Sequence, residues 1–393
     1  MNSIPVNHNR ITSLDFVKGL AMLVMALDHV RDYVHAPAFL FDPADPTQTT
    51  LPIFFTRWVT HFCAPAFSLL AGMSAYMVGR RKSKNELSAF LLKRGIWLIF
   101  IELTLVNFGW LFDFGHGTIL LQVIWSLGIS MIVLAGLVHL ERRILLVLSL
   151  VLIFGHNLLD DVGSDDSIGW ALLHQLNIFM LSDNLMFVVG YPIIPWIAVM
   201  SLGYVLGSYY DGNVDAGTRT RTFNLMGAMA LVLFVTLRWS NIYGDPIDFQ
   251  QFGVISKSLV SFLNPTKYPP SLSFLLMTLG GTLLLLANSE KWKGKAVDFI
   301  STFGRVPFFY YIIHIYLIHL IAFGLATLTG FSWQKNMVLV TWGISENPIP
   351  GYGFALWVVY VVWVSVILLL YPICRKFDQY KQGNKDKWWL SYF

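Results

Sequence analysis

Apolar stretches long enough to cross a lipid bilayer recur along this chain, from shortly after its start to shortly before its end. A helix needs about 20 such residues to span a hydrocarbon core. Within lipid the backbone must satisfy its own hydrogen bonds, which leaves helices or closed barrels. No strand-like alternation runs through these stretches, so a transmembrane barrel is excluded. Only 13% of the residues are charged, against roughly a quarter in a soluble domain. The sequence therefore predicts an all-α fold, a polytopic bundle of transmembrane helices.

About ten spans are expected. They are Leu14–Val34, Ile53–Val78, Gly95–Phe112, Ile119–Leu140, Ile144–Leu159, Tyr191–Tyr209, Thr222–Ser240, Ser271–Asn288, Val306–Leu328 and Phe354–Cys374. The fifth is short. Ile168–Leu181 is apolar but too brief to cross, and is expected to be interfacial or re-entrant. The polar first fourteen residues lead into a full span rather than a short signal-peptide core. Cys63 and Cys374 fall at the ends of different spans, which argues against a disulfide framework.

The loops set the orientation. Arg80, Arg81, Lys82, Lys84, Lys93, Arg94, Arg142, Arg143, Arg219, Arg221, Lys291, Lys293 and Lys295 fall in alternate connections, and Arg375, Lys376, Lys381, Lys385 and Lys387 in the tail. The other connections carry Asp42, Asp45, Asp160, Asp161, Asp165, Asp166, Asp183, Asp245 and Asp248. By the positive-inside rule both ends are cytoplasmic. No loop is long enough for a soluble domain, so residues 1–393 are read as one transmembrane domain with short cytoplasmic tails at 1–13 and 375–393. Gly203 and Gly207 form a small-xxx-small pair, read as a helix-packing surface.

Charge inside a bilayer is costly, at least ~2.5–3.5 kcal/mol at the centre, so it marks functional candidates. The densest group spans the end of the first span and the start of the second. Asp28, Arg31, Asp32 and His35 share a helix face. His29 stands three residues before Asp32, where a carboxylate could fix its tautomer. Arg57 and His61, one turn apart on the second span, enter at the same depth. A neutral histidine, an orienting carboxylate and a cation together suit acyl transfer to a hydroxyl or amine. The same residues could instead form an ion-pair network locking two helices. His29, Asp32 and His61 could also ligate zinc, although their spacing matches no compact motif and no metal is expected. Elsewhere, Tyr311 and His314 share one stripe of the ninth span, Tyr316 and His319 another, and Glu102 lies mid-span in the third. No phosphate-binding loop, dinucleotide fingerprint or nucleophile elbow occurs in a credible context.

Several stretches carry a resemblance. Ser13-Leu14-Asp15-Phe16-Val17-Lys18-Gly19-Leu20-Ala21, running on to Asp28-His29, is similar to the opening helix of transmembrane acyltransferases. With Thr56–Pro65, Tyr191–Trp196, Tyr268–Ser271 and the Tyr310–His319 run, the chain most resembles bacterial relatives of heparan-alpha-glucosaminide N-acetyltransferase. The resemblance implies an acyl-CoA donor, usually acetyl-CoA, entering from the cytoplasm as co-substrate. It implies a sugar or glycan acceptor on the far side, acetylated at an amine or hydroxyl. It further implies a multi-pass protein of a bacterial-type inner membrane, with membrane lipid around it, no nucleic-acid partner and a possible homodimer. In the broader superfamily a basic residue and a histidine recur on the first span at the spacing of Lys18 and His29. In the animal lysosomal enzymes asparagine matches His29 and the proposed catalytic histidine lies farther along, nearest to His35. The expected catalytic set is thus His29, Asp28, Asp32, His35, Arg57 and His61. Lys18, Arg94, Arg305, Tyr311 and His314 are expected to bind the donor, the cations through its phosphates. The competing reading is a proton-coupled secondary transporter or a lipid or glycan flippase, with the buried acids and histidines as a relay. A non-catalytic scaffold would have no need of charge at this depth.

Overall fold

A computed structural model of the protein describes residues 11–115, 117–163, 167–334 and 336–392. Asp165 and Asp166, assigned above to an acidic loop, and most of the 1–13 tail lie outside the described residues. In chain order the helices are α1 (Thr12–Val34), α2 (Leu51–Trp58), α3 (Cys63–Gly79), α4 (Lys84–Ile101), α5 (Asn107–Leu111), α6 (Val123–Leu137), α7 (Arg142–Gly155) and α8 (Ile168–Leu173). They continue with α9 (Ile194–Leu206), α10 (Ala216–Ser240), α11 (Ile255–Leu263), α12 (Leu272–Ser289), α13 (Lys295–Arg305), α14 (Pro307–Leu328), α15 (Val338–Thr341) and α16 (Leu356–Gly383).

Among the described residues, six helical stretches are long and apolar enough to cross a membrane: Leu51–Gly79, Arg142–Leu159, Ala216–Ser240, Leu272–Ser289, Pro307–Leu328 and Leu356–Gly383. The other expected spans fall largely on helix, except that Ile119–Leu140 begins in a strand before its helix, and each has a physical reason for standing apart. α1 is 23 residues long but carries Lys18, Asp28, Arg31 and Asp32. α6 and α9 have only 15 and 13 residues. α4 continues into α5 through a π-helical turn, Glu102–Val106.

The all-α expectation needs one amendment. Three short strands, β1 (Thr118–Leu121), β2 (Asn177–Ser182) and β3 (Leu185–Val189), form a small sheet in the order β1-β3-β2. β1 and β3 run parallel, and β2 and β3 form an antiparallel hairpin. The segment Ile168–Leu181 accordingly makes a six-residue helix and most of β2, and does not cross as a helix.

Helix starts follow local chemistry. Ser83 and Glu86 form a capping box that opens α4. Asp215 and Ser271 accept from backbone N–H groups to cap α10 and α12. α1 runs through the middle of the bundle, packed by α3, α12, α13, α14 and α16. At its crossing with α13 the backbones nearly touch: a Cβ on Gly19 would lie 2.0 Å from the Ile300 carbonyl oxygen. At the α3–α9 crossing a Cβ on Gly203 would lie 2.1 Å from the Leu69 carbonyl oxygen, so Gly203 serves helix packing.

The loop between α10 and α12 is ordered by two buried charges. Arg238 donates to the carbonyls of Phe262, Ile247 and Ser261, while Asp245 accepts from Thr266 and Ser271. This brings Lys267 and Tyr268, just before a cis Tyr268-Pro269 bond, toward the end of α1.

Candidate active site

The last two turns of α1 are almost closed to solvent although they carry four ionisable residues, Asp28, His29, Arg31 and Asp32. Sequence spacing explains how the charges coexist. Arg31 reaches back to Asp28 at 3.0 Å and sideways to Asp32 at 2.5 Å. The other oxygen of Asp28 takes Arg57, delivered by the last turn of α2. Asp32 also accepts from the Trp342 indole at 3.3 Å. Two carboxylates and two guanidinium groups thus compensate one another, as burial demands.

His29 stands outside this network. Its Nδ1 lies 2.8 Å from Nε2 of His314 on α14, whose own Nδ1 lies 2.9 Å from the Tyr310 carbonyl oxygen. A carbonyl can only accept, so His314 carries its proton on Nδ1 and presents a lone pair at Nε2. His29 must then donate from Nδ1, which leaves its Nε2 as a lone pair. The anticipated carboxylate orienter, Asp32, is replaced here by a second histidine. Trp110 packs edge-on against the His29 ring with centroids 4.5 Å apart.

Asp28, His29, Arg31, Asp32 and Arg57 line a cavity of about 610 Å³, with Trp110, Gln122, Tyr191, Lys267, Tyr268 and Trp342 among its other walls. Outside the spans, burial raises the Tyr268 hydroxyl, but Lys267 and Arg57 outweigh it and hold the group below the usual tyrosine range. A second cavity of about 170 Å³ is largely apolar and contains Lys18 and Arg94. Lys18 donates to Ser74 at 2.6 Å, and Arg94 donates to the Ser391 carbonyl at 2.6 Å while its buried Nε has no acceptor among the described residues. Four residues, Met25, Phe67, Val123 and Tyr311, line both cavities. They form the wall between them.

The other expected site residues sit elsewhere. His61 is buried against Phe274 and does not line either cavity. His35 follows the end of α1, where burial and then Arg31 push it down to about 4; it is likewise absent from both linings. Arg305 pairs with Asp378 at 2.6 Å and ties α13 to α16. Tyr311 does face both cavities, whereas His314 faces His29 and lines neither. Glu102 accepts from the backbone N–H of Gln122 at 2.9 Å, at the start of α6, where the helix dipole favours an acid. His319 reaches the Gly109 carbonyl and Tyr316 the Leu105 carbonyl, joining α14 to the α4–α5 rod. No group of three or more His, Cys, Asp or Glu side chains among the described residues is arranged to hold a metal ion. Both cysteines are free thiols. Gln122, Trp110, Trp342 and Lys267 were not anticipated as site residues; uncharged side chains in apolar runs give no signal, and Lys267 reads as an ordinary loop lysine.

Helices fit for a bilayer, wrapped around a buried histidine and two adjoining cavities, define a multi-pass membrane protein with an internal site of enzymic character. A family model for heparan-alpha-glucosaminide N-acetyltransferase, catalytic, matches residues 10–243, more than half of the chain. The protein belongs to that family and is a membrane acetyltransferase. The match covers α1 to α10; His314 and Tyr311 lie beyond it. Comparison with curated proteins found no match.

Proposed function

We propose that the protein moves an acetyl group from cytoplasmic acetyl-CoA to a sugar amine or hydroxyl on the opposite side of the membrane. The observation that carries this reading is the wall shared by the two cavities, with His29 in the cavity on one side and Lys18 and Arg94 in the cavity on the other. Lys18 and Arg94 take the donor's phosphates, and the apolar smaller cavity takes its thioester arm. The acceptor enters the larger cavity between Trp110, Tyr268 and Trp342. His29 removes the acceptor's proton at Nε2, held in the right tautomer by His314. The Asp28–Arg57–Arg31–Asp32 network keeps that end of α1 rigid and orients the acceptor. Bringing both substrates to one preorganised place supplies much of the rate.

In this reading the chain is a single domain of ten spans with both ends in the cytoplasm of a bacterial-type inner membrane. The basic connections 80–94, 142–143, 219–221 and 291–295 and the tail beyond Arg375 support that placement. The test is direct. Purified protein is expected to transfer acetyl from acetyl-CoA to glucosamine, or slowly to water, with His29→Ala lowering both by about 10²-fold or more. Absence of CoA binding by calorimetry, or proton-coupled uptake into vesicles without CoA, would overturn it in favour of transport.

A further inference from the structure

The acyl-transfer step places negative charge on the thioester carbonyl oxygen, and the charge network on α1 is largely committed to itself: Arg57 and the Nε and Nη2 of Arg31 are engaged by Asp28 and Asp32, and only the buried Nη1 of Arg31 has no acceptor among the described residues. Two other groups meet the requirement. Tyr311 belongs to the wall between the cavities, and its ring lies 6.4 Å from that of His29. Its hydroxyl oxygen accepts from the Trp110 indole at 3.5 Å, and among the described residues its own proton has no acceptor. Gln122 lines the larger cavity directly before Val123, another wall residue. Gln122 is 7% exposed, and its side-chain Nε2 has no hydrogen-bond partner among the described residues. Its backbone N–H is anchored on Glu102, which fixes the residue at the start of α6. A buried amide donor left without an acceptor needs an explanation, and at the edge of a cavity a catalytic role is one.

We infer that Tyr311 and Gln122 are catalytic residues that form the oxyanion hole for the thioester carbonyl. The inference rests on the acetyl-CoA reading above. In the step it describes, the acceptor's nitrogen or oxygen bonds to the carbonyl carbon and its proton passes to His29 Nε2. The carbonyl π pair moves onto oxygen, where the Tyr311 O–H and the Gln122 N–H receive it. Collapse re-forms the carbonyl, breaks the C–S bond and expels the CoA thiolate, which takes the proton from His29. The products are the acetylated acceptor and free CoA.

Such donors act on the transition state, so the effect belongs in kcat rather than in donor binding. Tyr311→Phe and Gln122→Met are each expected to lower kcat by about 10²–10³-fold. Acetyl-CoA affinity by calorimetry and the melting temperature stay close to wild type. A second readout is spectroscopic: in acetyl-CoA labelled with ¹³C at the carbonyl, the bound C=O stretch lies at lower wavenumber than in solution, and the shift shrinks in each variant. If Gln122→Met does not yield folded protein, Tyr311→Phe carries the test alone. Wild-type kcat and an unchanged carbonyl stretch in Tyr311→Phe, in protein that transfers acetyl normally, would overturn the oxyanion hole while leaving the acetyltransferase reading intact. Inactive wild-type protein that binds no CoA would remove both.

Discussion

Nδ1 of His29 and Nε2 of His314 lie 2.8 Å apart, although 285 residues separate them in the chain. Because His314 is anchored on the Tyr310 carbonyl, the pair has one consistent proton arrangement, and it directs the His29 lone pair away from α14. His29→Ala should lower kcat by about 10²–10⁴-fold, the usual reach of a general base. His314→Ala should cost less, and the double variant no more than His29→Ala alone, since the two act as a unit. Multiplying effects in the double variant would show that they act separately.

Arg57 and Asp28 predict stability more than activity. Removing one partner of a buried ion pair costs about 3–5 kcal/mol, whereas neutralising both can be far milder. Asp28 keeps Arg31, which places Arg57→Met at the lower end of that range. Melting in detergent should rank wild type above Asp28→Asn/Arg57→Met, and that double variant above Arg57→Met. A double variant less stable than Arg57→Met would refute the compensation argument.

Lys18 and Arg94 predict a split in the kinetic constants. Alanine at Arg94 should raise the KM for acetyl-CoA several-fold and leave kcat nearly unchanged, because phosphate contacts are shared by ground and transition states. Acceptor KM should not move. A change confined to the acceptor would reassign the smaller cavity.

Gly19 and Gly136 give a paired packing test. Gly19→Ala forces a Cβ into the Ile300 carbonyl and should cost at least ~1–3 kcal/mol or prevent folding. Gly136→Ala, in α6 with open space around it, should be neutral or stabilising by about 0.4–1 kcal/mol. Equal behaviour of the two variants would contradict the α1–α13 contact.

His35 predicts a pH response. Burial, then Arg31, pushes it down to about 4 from an ordinary value of 6.5. The unfolded chain therefore binds the proton more readily between those two values, and stability rises with pH across that window. The contribution is fully present above about pH 6.5 and is lost as pH falls toward 4. Melting temperatures measured from pH 7.5 down to 4.5 should fall less steeply in His35→Gln than in wild type.

The charged end of α1 was legible in the sequence because charge inside an apolar run is expensive and has few explanations. Its i, i+3 and i, i+4 spacing even anticipated the link from Arg31 to Asp28. The partner of His29 was not legible. Which faces of α1 and α14 meet depends on how the bundle packs, and Gly19 against Ile300 sets part of that packing only in three dimensions. Arg305 looked equivalent to Arg94 by position at a helix end, yet Asp378, 73 residues away, claims it. The strands were missed because they are only four to six residues long: β1 pairs with β3 across a long connection, and the β2–β3 hairpin lies in apolar residues that show no alternation. Gln122 and Trp110, both uncharged, stand in apolar surroundings where sequence offers no reason to single them out.

The wall formed by Met25, Phe67, Val123 and Tyr311 also bears on membrane energetics. A protein entered by aqueous clefts from both faces risks leaking ions, and an apolar partition is what keeps it electrically tight. It also concentrates the field. In the proposed orientation part of the voltage that elsewhere falls across about 30 Å of hydrocarbon would fall across this shared wall, near His29. Moving one elementary charge through 100 mV is worth about 2.3 kcal/mol, so charge displaced at this wall during acetyl transfer would couple the reaction rate to the energised state of the membrane.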